Sequence, residues 1–213
     1  MTGPCPVLVF AKAPHAGLAK TRLAPALGMQ GAARLAVRLL EHAVAEACAA
    51  GLGPVLLCCA PDTSDAAFAR LARVHGVGLA PQGEGDLGER MARALRRELD
   101  GCRRVLLIGT DAPAVDAVYL RQAAAALLDH DAVFGPAADG GYTLVGLSCR
   151  ADALFHGIAW STPRVMAQTR TRLRALSLSH AELATLHDID EPADLAFLPD
   201  GWLEAADAVA AAR

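Results

Sequence analysis

With 213 residues, 54% of them hydrophobic and 20% charged, the chain has the make-up of a globular protein and not of a disordered one. A net charge of −3 with acids and bases intermixed leaves no basic stripe, which argues against nucleic acid as the main partner. No apolar run approaches the ~20 residues of a membrane span, and no basic-then-apolar leader opens the chain.

Short apolar runs alternate with helical patterns. Val7–Ala11 reads as a buried strand, and Gly31–Ala50 as a helix with Leu35, Leu39, Leu40 and Ala43 on one face. Val55–Cys59 reads as a strand, Asp65–Val74 as a helix, Val77–Ala80 as a short strand and Gly88–Leu99 as a helix. Val105–Ile108 is apolar throughout and is the clearest strand. Val118–Leu128 is expected as a helix, Ala132–Phe134 and Tyr142–Leu147 as strands, and Pro163–Leu176 as a helix with proline near its start. A short helix is expected at Pro192–Phe197 and a closing one at Trp202–Ala212. The alternation implies βαβ units, a mostly parallel sheet covered on both faces, and one domain over residues 1–213. In such sheets ligands bind beyond the carboxyl ends of the strands. Six cysteines without a C-x-x-C pair or a histidine cluster argue against zinc and fit a reducing cytoplasm.

Directly after the first strand, Lys12-Ala13-Pro14-His15-Ala16-Gly17-Leu18-Ala19-Lys20-Thr21-Arg22 carries three lysine and arginine cations, a proline and a glycine. A loop at that position wraps phosphates with backbone N–H groups, and Lys12, Lys20 and Arg22 supply countercharge. Neither G-x-G-x-x-G nor the Walker pattern is present. A solvated basic loop is the competing reading.

Ile108-Gly109-Thr110-Asp111-Ala112-Pro113 places Asp111 at the carboxyl edge of the sheet, where one carboxylate plus substrate phosphates suits Mg²⁺. The alternative is an N-cap for the next helix. In His187-Asp188-Ile189-Asp190-Glu191-Pro192, an extended backbone puts Asp188 and Asp190 on one side, roughly 6–7 Å apart at Cα. Asp190 also stands where a cap for the Pro192 helix is wanted. Asp139-Gly140-Gly141-Tyr142 reads as a hairpin turn or as a turn presenting Asp139 and Tyr142 to an acceptor. Ser161 and Thr162, in Trp160-Ser161-Thr162-Pro163, are helix caps or acceptor contacts. Gln82 opens a glycine-rich loop that encloses a base or sugar, or simply lies on the surface.

Taken together, F-A-K-A-P-x-x-G-x-x-K-T-R-L, G-T-D-A-P, F-G-P-A-x-D-G-G-Y, W-S-T-P and D-I-D-E-P-x-D-L resemble the glycosyltransferase-like family associated with radical-SAM and selenodomain proteins. That family is similar to 2-phospho-lactate guanylyltransferase and to the GT-A nucleotide-diphospho-sugar transferases. The resemblance runs from about Val7 to Leu198. It implies a three-layer α/β/α sandwich around a mainly parallel, mixed, seven-stranded Rossmann-like sheet. It also implies magnesium, or manganese, as cofactor, and a cytoplasmic transferase acting on a small-molecule acceptor, with a homo-oligomer left open. By similarity Lys12, Lys20 and Arg22 match the phosphate loop, with Lys20, Arg22 and Asp111 carrying catalysis. Asp111 matches the metal-binding aspartate, Asp188 or Asp190 the second metal position, and Gln82 lies where nucleobase contacts are usual. Asp139, Gly140, Tyr142, Ser161 and Thr162 are the expected substrate contacts. The single aspartate of Thr110-Asp111-Ala112 departs from the D-x-D motif of the sugar transferases.

Three activities follow as expectations. Nucleotidyl transfer from a nucleoside triphosphate leads, because three cations suit a triphosphate and the chemistry needs positioning and charge stabilisation rather than a covalent nucleophile. Glycosyl transfer from a nucleotide-sugar and a non-catalytic nucleotide sensor are the alternatives.

Overall fold

The computed structural model describes residues 3–203. Seven strands form one sheet in the order β3-β2-β1-β4-β6-β5-β7. They are β1 (Val7–Lys12), β2 (Val55–Ala60), β3 (Gly78–Pro81), β4 (Val105–Ile108), β5 (Ala132–Pro136), β6 (Tyr142–Leu147) and β7 (His180–Glu182). β1 to β4 pair in parallel, whereas β6 runs antiparallel to both β4 and β5, and β7 is parallel to β5. The sheet is therefore mixed. The helices are α1 (Ala24–Ala49), α2 (Ala66–His75), α3 (Leu87–Leu99), α4 (Ala117–Ala126) and α5 (Val165–Ala175).

Strand periodicity explains the three layers. Val7 and Val9 point to one side, where they pack with Leu40 and Val44 of α1, Phe68 of α2 and Leu120 of α4. Leu8 and Phe10 point to the other, against Met91 and Leu95 of α3 and Met166 and Leu173 of α5. A third, smaller cluster joins Leu23, Leu35 and Leu39 to Ile189, which is fully buried. It anchors the aspartate-rich late segment to the base of the first loop.

Two differences from the sequence expectation have local causes. α1 begins at Ala24 rather than Gly31, because Pro25 suits a first helical turn and Gly28, at φ 68° and ψ 165°, bends the chain before the long helix resumes. The three-residue β7 has no apolar run to announce it and is held at the sheet edge by pairing with β5. The expected closing helix Trp202–Ala212 lies outside the described residues beyond Leu203. Among the described residues, no helix is long and apolar enough to cross a membrane.

Candidate active site

β1 leads on to β2 on one side, while β4 lies on its other side, so the crevice between the carboxyl ends of β1 and β4 is the switch point of the sheet. Both expected loops open there. After β1 the chain runs through Ala13–Ala19 to Lys20, which takes a left-handed conformation (φ 51°, ψ 39°) before a short 3-10 turn at Thr21–Leu23. Lys20 Nζ then lies 2.6 Å from Asp111 Oδ1 and 2.7 Å from Asp190 Oδ1, and donates to the Ile189 carbonyl at 2.6 Å. Its side chain is 8% exposed. Burial opposes the Lys20 charge, but Asp111 and Asp190 outweigh it and hold its pKa above the ordinary lysine value.

The late segment arrives by backbone pairing. Leu186 N–H donates to Pro136 O and Ala138 N–H to Leu186 O, and Ile189 N–H then donates to Asp111 O at 2.8 Å. With Ile189 turned into the core, Asp188 and Asp190 face the crevice on either side of it, as extended backbone alternation requires. Asp188 joins Gly109, Asp111, Asp139, Tyr142 and Thr143 around a cavity of about 120 Å³. Burial first, then the charges of Asp139, Asp190 and Asp111, push the Asp188 carboxyl up to about 6. A larger hollow of about 410 Å³, between Arg38, His42, Arg70 and Trp202, lies on the helical face, and none of the carboxylates from the strand ends lines it.

The capping alternatives do not account for these carboxylates. Asp116, not Asp111, caps α4 by accepting from Tyr119 N–H at 2.7 Å. At the Pro192–Phe197 turn, Asp194 accepts from the N–H groups of Asp190 and Glu191, and Glu191 is the cap. Asp111 and Asp190 are thus left to face Lys20.

Other expected positions differ in character. Arg22 stands on the rim, 68% exposed, 3.9 Å from Glu191. Lys12 ends β1 with its side chain exposed. Gln82 is buried: its amide donates to the Ala11 and Cys58 carbonyls, and its oxygen accepts from Arg90 at 2.7 Å. It ties the ends of β1, β2 and β3 together, so its amide does not extend toward a base in this structure. Gly140, at φ 91°, is pressed against the Pro163 carbonyl, and Met166 N–H donates to Gly140 O at 2.8 Å. The turn of Asp139–Tyr142 therefore docks against the Trp160–Pro163 segment. Asp139 accepts from Gly141 N–H, and Thr162 donates to Ala159 O, while Ser161 is left-handed at φ 60°. The Tyr142 hydroxyl and the Trp160 indole N–H are sealed, with no hydrogen-bond partner among the described residues, and the two rings meet edge-on at 6.3 Å.

Sequence reasoning missed the Ile189 carbonyl, since a backbone oxygen carries no residue signature. It missed Arg90 too, whose only signal is its place in the first turns of α3, facing back along the loop from Gln82. Burial pushes the Cys5 thiol up to about 11 and those of Cys58 and Cys59 up to about 12, so none of the three is a thiolate at neutral pH.

All the oxygens around Lys20 are hard donors of the kind Mg²⁺ and Mn²⁺ take, and the ammonium stands as a cation among them, so the donor set fits such an ion. Among the described residues, no three carboxylate, imidazole or thiol groups form a ready-made metal cage.

Over residues 9–162 the sequence matches the family model described as "Uncharacterized protein conserved in bacteria (DUF2064)". The chain belongs to the DUF2064 family. No curated protein matches it. Among solved structures, this DUF2064 chain is similar to one from Desulfovibrio desulfuricans G20 whose name assigns it provisionally to the nucleotide-diphospho-sugar transferases. The two are 29% identical over 98% of this chain and 97% of that one, with a TM-score of 0.84. A nucleotidyl transferase from Methanothermobacter thermautotrophicus shares the fold at a TM-score of 0.61 and 15% identity, covering 95% of this chain and 100% of its own. Rv0371c from Mycobacterium tuberculosis H37Rv, in complex with manganese, does so at 0.54 and 17%, covering 93% and 100%. The DUF2064 chain thus has the α/β fold of the nucleotide-dependent transferases, with the seven-stranded mixed sheet described above.

Proposed function

We propose that the protein is a magnesium- or manganese-dependent nucleotidyltransferase that moves a nucleotidyl group from a nucleoside triphosphate to a small phosphate- or carboxylate-bearing acceptor, releasing pyrophosphate. The observation that carries this reading is the convergence of Lys20 with Asp111 and Asp190, residues 170 positions apart at the extremes, at the switch point of the sheet. Cations from the first loop and carboxylates from the later strand ends are what a metal–triphosphate ligand requires in one crevice. The free thiols and the chain's fold fit a cytoplasmic enzyme.

Asp111 and Asp190, with Asp188 beside them, would hold the divalent cation. That ion neutralises phosphate charge when bound. Arg22, exposed on the rim, receives phosphate oxygens in a bidentate grip, and Lys12 at the end of β1 adds charge along the same path. Gln82 works indirectly by fixing the strand ends and the 82–86 loop that closes the base side. On the other side of β4, the Asp139–Tyr142 turn and the Trp160–Pro163 segment form the acceptor wall. The acceptor oxygen attacks the α-phosphorus in line, the bond to the bridging oxygen breaks, and pyrophosphate departs. Developing negative charge on the leaving group falls to Lys20 and Arg22.

Glycosyl transfer is the second reading, favoured by the likeness to the Desulfovibrio protein. Incubation with labelled triphosphates, Mg²⁺ and a metabolite pool separates the two. Pyrophosphate release supports nucleotidyl transfer. Its absence, with nucleoside diphosphate released from nucleotide-sugars instead, sinks it.

A further inference from the structure

We propose that Lys20 is a resident counter-ion that closes the carboxylate site to free divalent cations until a triphosphate draws the lysine away, so that cation and nucleotide bind as one event. This rests on the reading of the crevice as a metal–nucleotide site and adds the order in which that site opens.

An ammonium has three donors, and Lys20 has three oxygens within 2.7 Å: Asp111 Oδ1, Asp190 Oδ1 and Ile189 O. Its donor capacity is saturated, and at 8% exposure little water reaches it. The same oxygens are the hard donors a divalent cation would take, and Mg²⁺ needs them at about 2.0–2.1 Å. A divalent ion and an ammonium cannot share them, because two cations at such a separation repel strongly in a part-buried crevice. Either the lysine leaves or the metal stays out.

The backbone that carries Asp111, Asp190 and the Ile189 carbonyl is the fixed half of this arrangement. Asp111 follows a fully buried strand, and Ile189 is pinned by its buried side chain and by its N–H bond to Asp111 O. Lys20 is the movable half. It sits in a loop, on a four-carbon stem, in a left-handed conformation that costs an L-residue about 1–2 kcal/mol. Its ion contacts oppose that strain, and a phosphate oxygen offers the ammonium another partner. Arg22 is already on the rim, exposed and only loosely paired, placed to engage the phosphates first.

The residue type supports the same division. Of the chain's 20 lysines and arginines only two are lysines, Lys12 at the end of β1 and Lys20 in the loop that follows it. A compact ammonium can occupy a three-oxygen nook and leave it. A planar guanidinium five donors wide fits neither the nook nor the exchange.

Mn²⁺ binding, followed by loss of the free-ion electron paramagnetic resonance signal, tests the proposal without turnover. Wild type, Lys20→Met and Lys20→Gln are titrated with Mn²⁺ alone and with Mn²⁺ plus each ribonucleoside triphosphate, and Asp111→Asn reports what the nucleotide holds by itself. The expected result is weak binding of Mn²⁺ alone by wild type, tightening at least about tenfold with the right triphosphate, a usual size for coupled sites. Lys20→Met should bind Mn²⁺ alone at least about tenfold more tightly than wild type. Equal affinity of wild type and Lys20→Met for Mn²⁺ alone overturns the interlock while leaving the metal–nucleotide reading intact. Absence of Mn²⁺ binding in every protein, with or without nucleotide, overturns both. Should neither lysine variant fold, the wild-type pair of titrations still decides: tight Mn²⁺ binding without nucleotide refutes the proposal.

Discussion

Replacing Asp188 with Asn should stabilise the metal-free protein at alkaline pH, an unusual direction for a substitution in a well-packed site. Asp188 shares its cavity with Asp111 and Asp139, and its carboxyl is raised from 3.8 to about 6 by burial and by the neighbouring carboxylates. A folded-state pKa above the unfolded one means the folded chain holds the proton more tightly. The associated stability is complete below about 3.8 and is lost as pH rises through about 6. Undiscounted, a shift of roughly two units is on the order of 3 kcal/mol. Asp188 is half-buried, so water screens part of this, and about 1–2 kcal/mol is the working figure. Asn keeps the shape and one acceptor oxygen but has no charge to repel. Chemical denaturation of both proteins in a chelator, from pH 4 to pH 8, reads the difference directly. The variant should gain about 1–2 kcal/mol over wild type at pH 8, or about 2–8 °C in Tm, and nothing at pH 4. Millimolar Mg²⁺ together with a triphosphate should narrow the gap at pH 8 by stabilising wild type, whereas Mg²⁺ alone should leave it. A variant no more stable than wild type at pH 8, or a gap of equal size at both pH values, would refute the claim that these carboxylates repel one another in one cavity.

Three further outcomes follow from the same geometry. Gly140→Ala combines a φ of 91° with a Cβ driven into the Pro163 carbonyl, so urea denaturation should show a loss of about 2–4 kcal/mol together with a weakened acceptor side. Arg22→Ala should leave stability within about 0.5 kcal/mol, because the side chain is exposed and its pairing loose. Steady-state kinetics should nevertheless show a transition-state loss of about 2–4 kcal/mol, and equal kcat/KM in the two proteins would remove Arg22 from the phosphate path. Ile189→Ala should cost about 2–5 kcal/mol by emptying a fully buried position, and Mn²⁺ affinity in the presence of triphosphate should fall with it. Intact Mn²⁺ affinity in a destabilised Ile189→Ala protein would show that the core does not position the carboxylates.

The fold was legible where one signal governs. Val105–Ile108 and Tyr142–Leu147 have the boundaries expected of them: the first is buried on both faces and apolar throughout, and the second is buried from Leu144 to Leu147. Legibility failed where pairing partners decide. β7 is held by its bonds to β5, and nothing in His180-Ala181-Glu182 distinguishes it from a loop. The reversal of β6 is likewise set by the turn through Gly140 and Gly141 and not by strand composition. The long part of α1 was legible, but the short helical piece from Ala24 to the break at Gly28 was not, because Gly28 leaves helical φ/ψ there and splits the helical period.

The site divides along the same line. Chain order placed Lys20 after β1 and Asp111 after β4, and the switch-point rule then requires their loops to open onto one crevice whatever the intervening sequence. Asp190 was within reach of that logic only through its spacing from Asp188, since the path that brings it back runs over β5 and is built from backbone bonds of Leu186 and Ile189. Gln82 shows the limit of reasoning by position. A polar side chain beyond a strand end serves a ligand only if the strand ends do not need it first, and here the Ala11 and Cys58 carbonyls and the Arg90 guanidinium claim the whole amide. Asp111 and Asp190 are the converse. Asp116 and Asp194 take the capping duties, which leaves two carboxylates whose only close cation among the described residues is one that can move. In this crevice the residues freed from structural work are the ones that remain for a ligand.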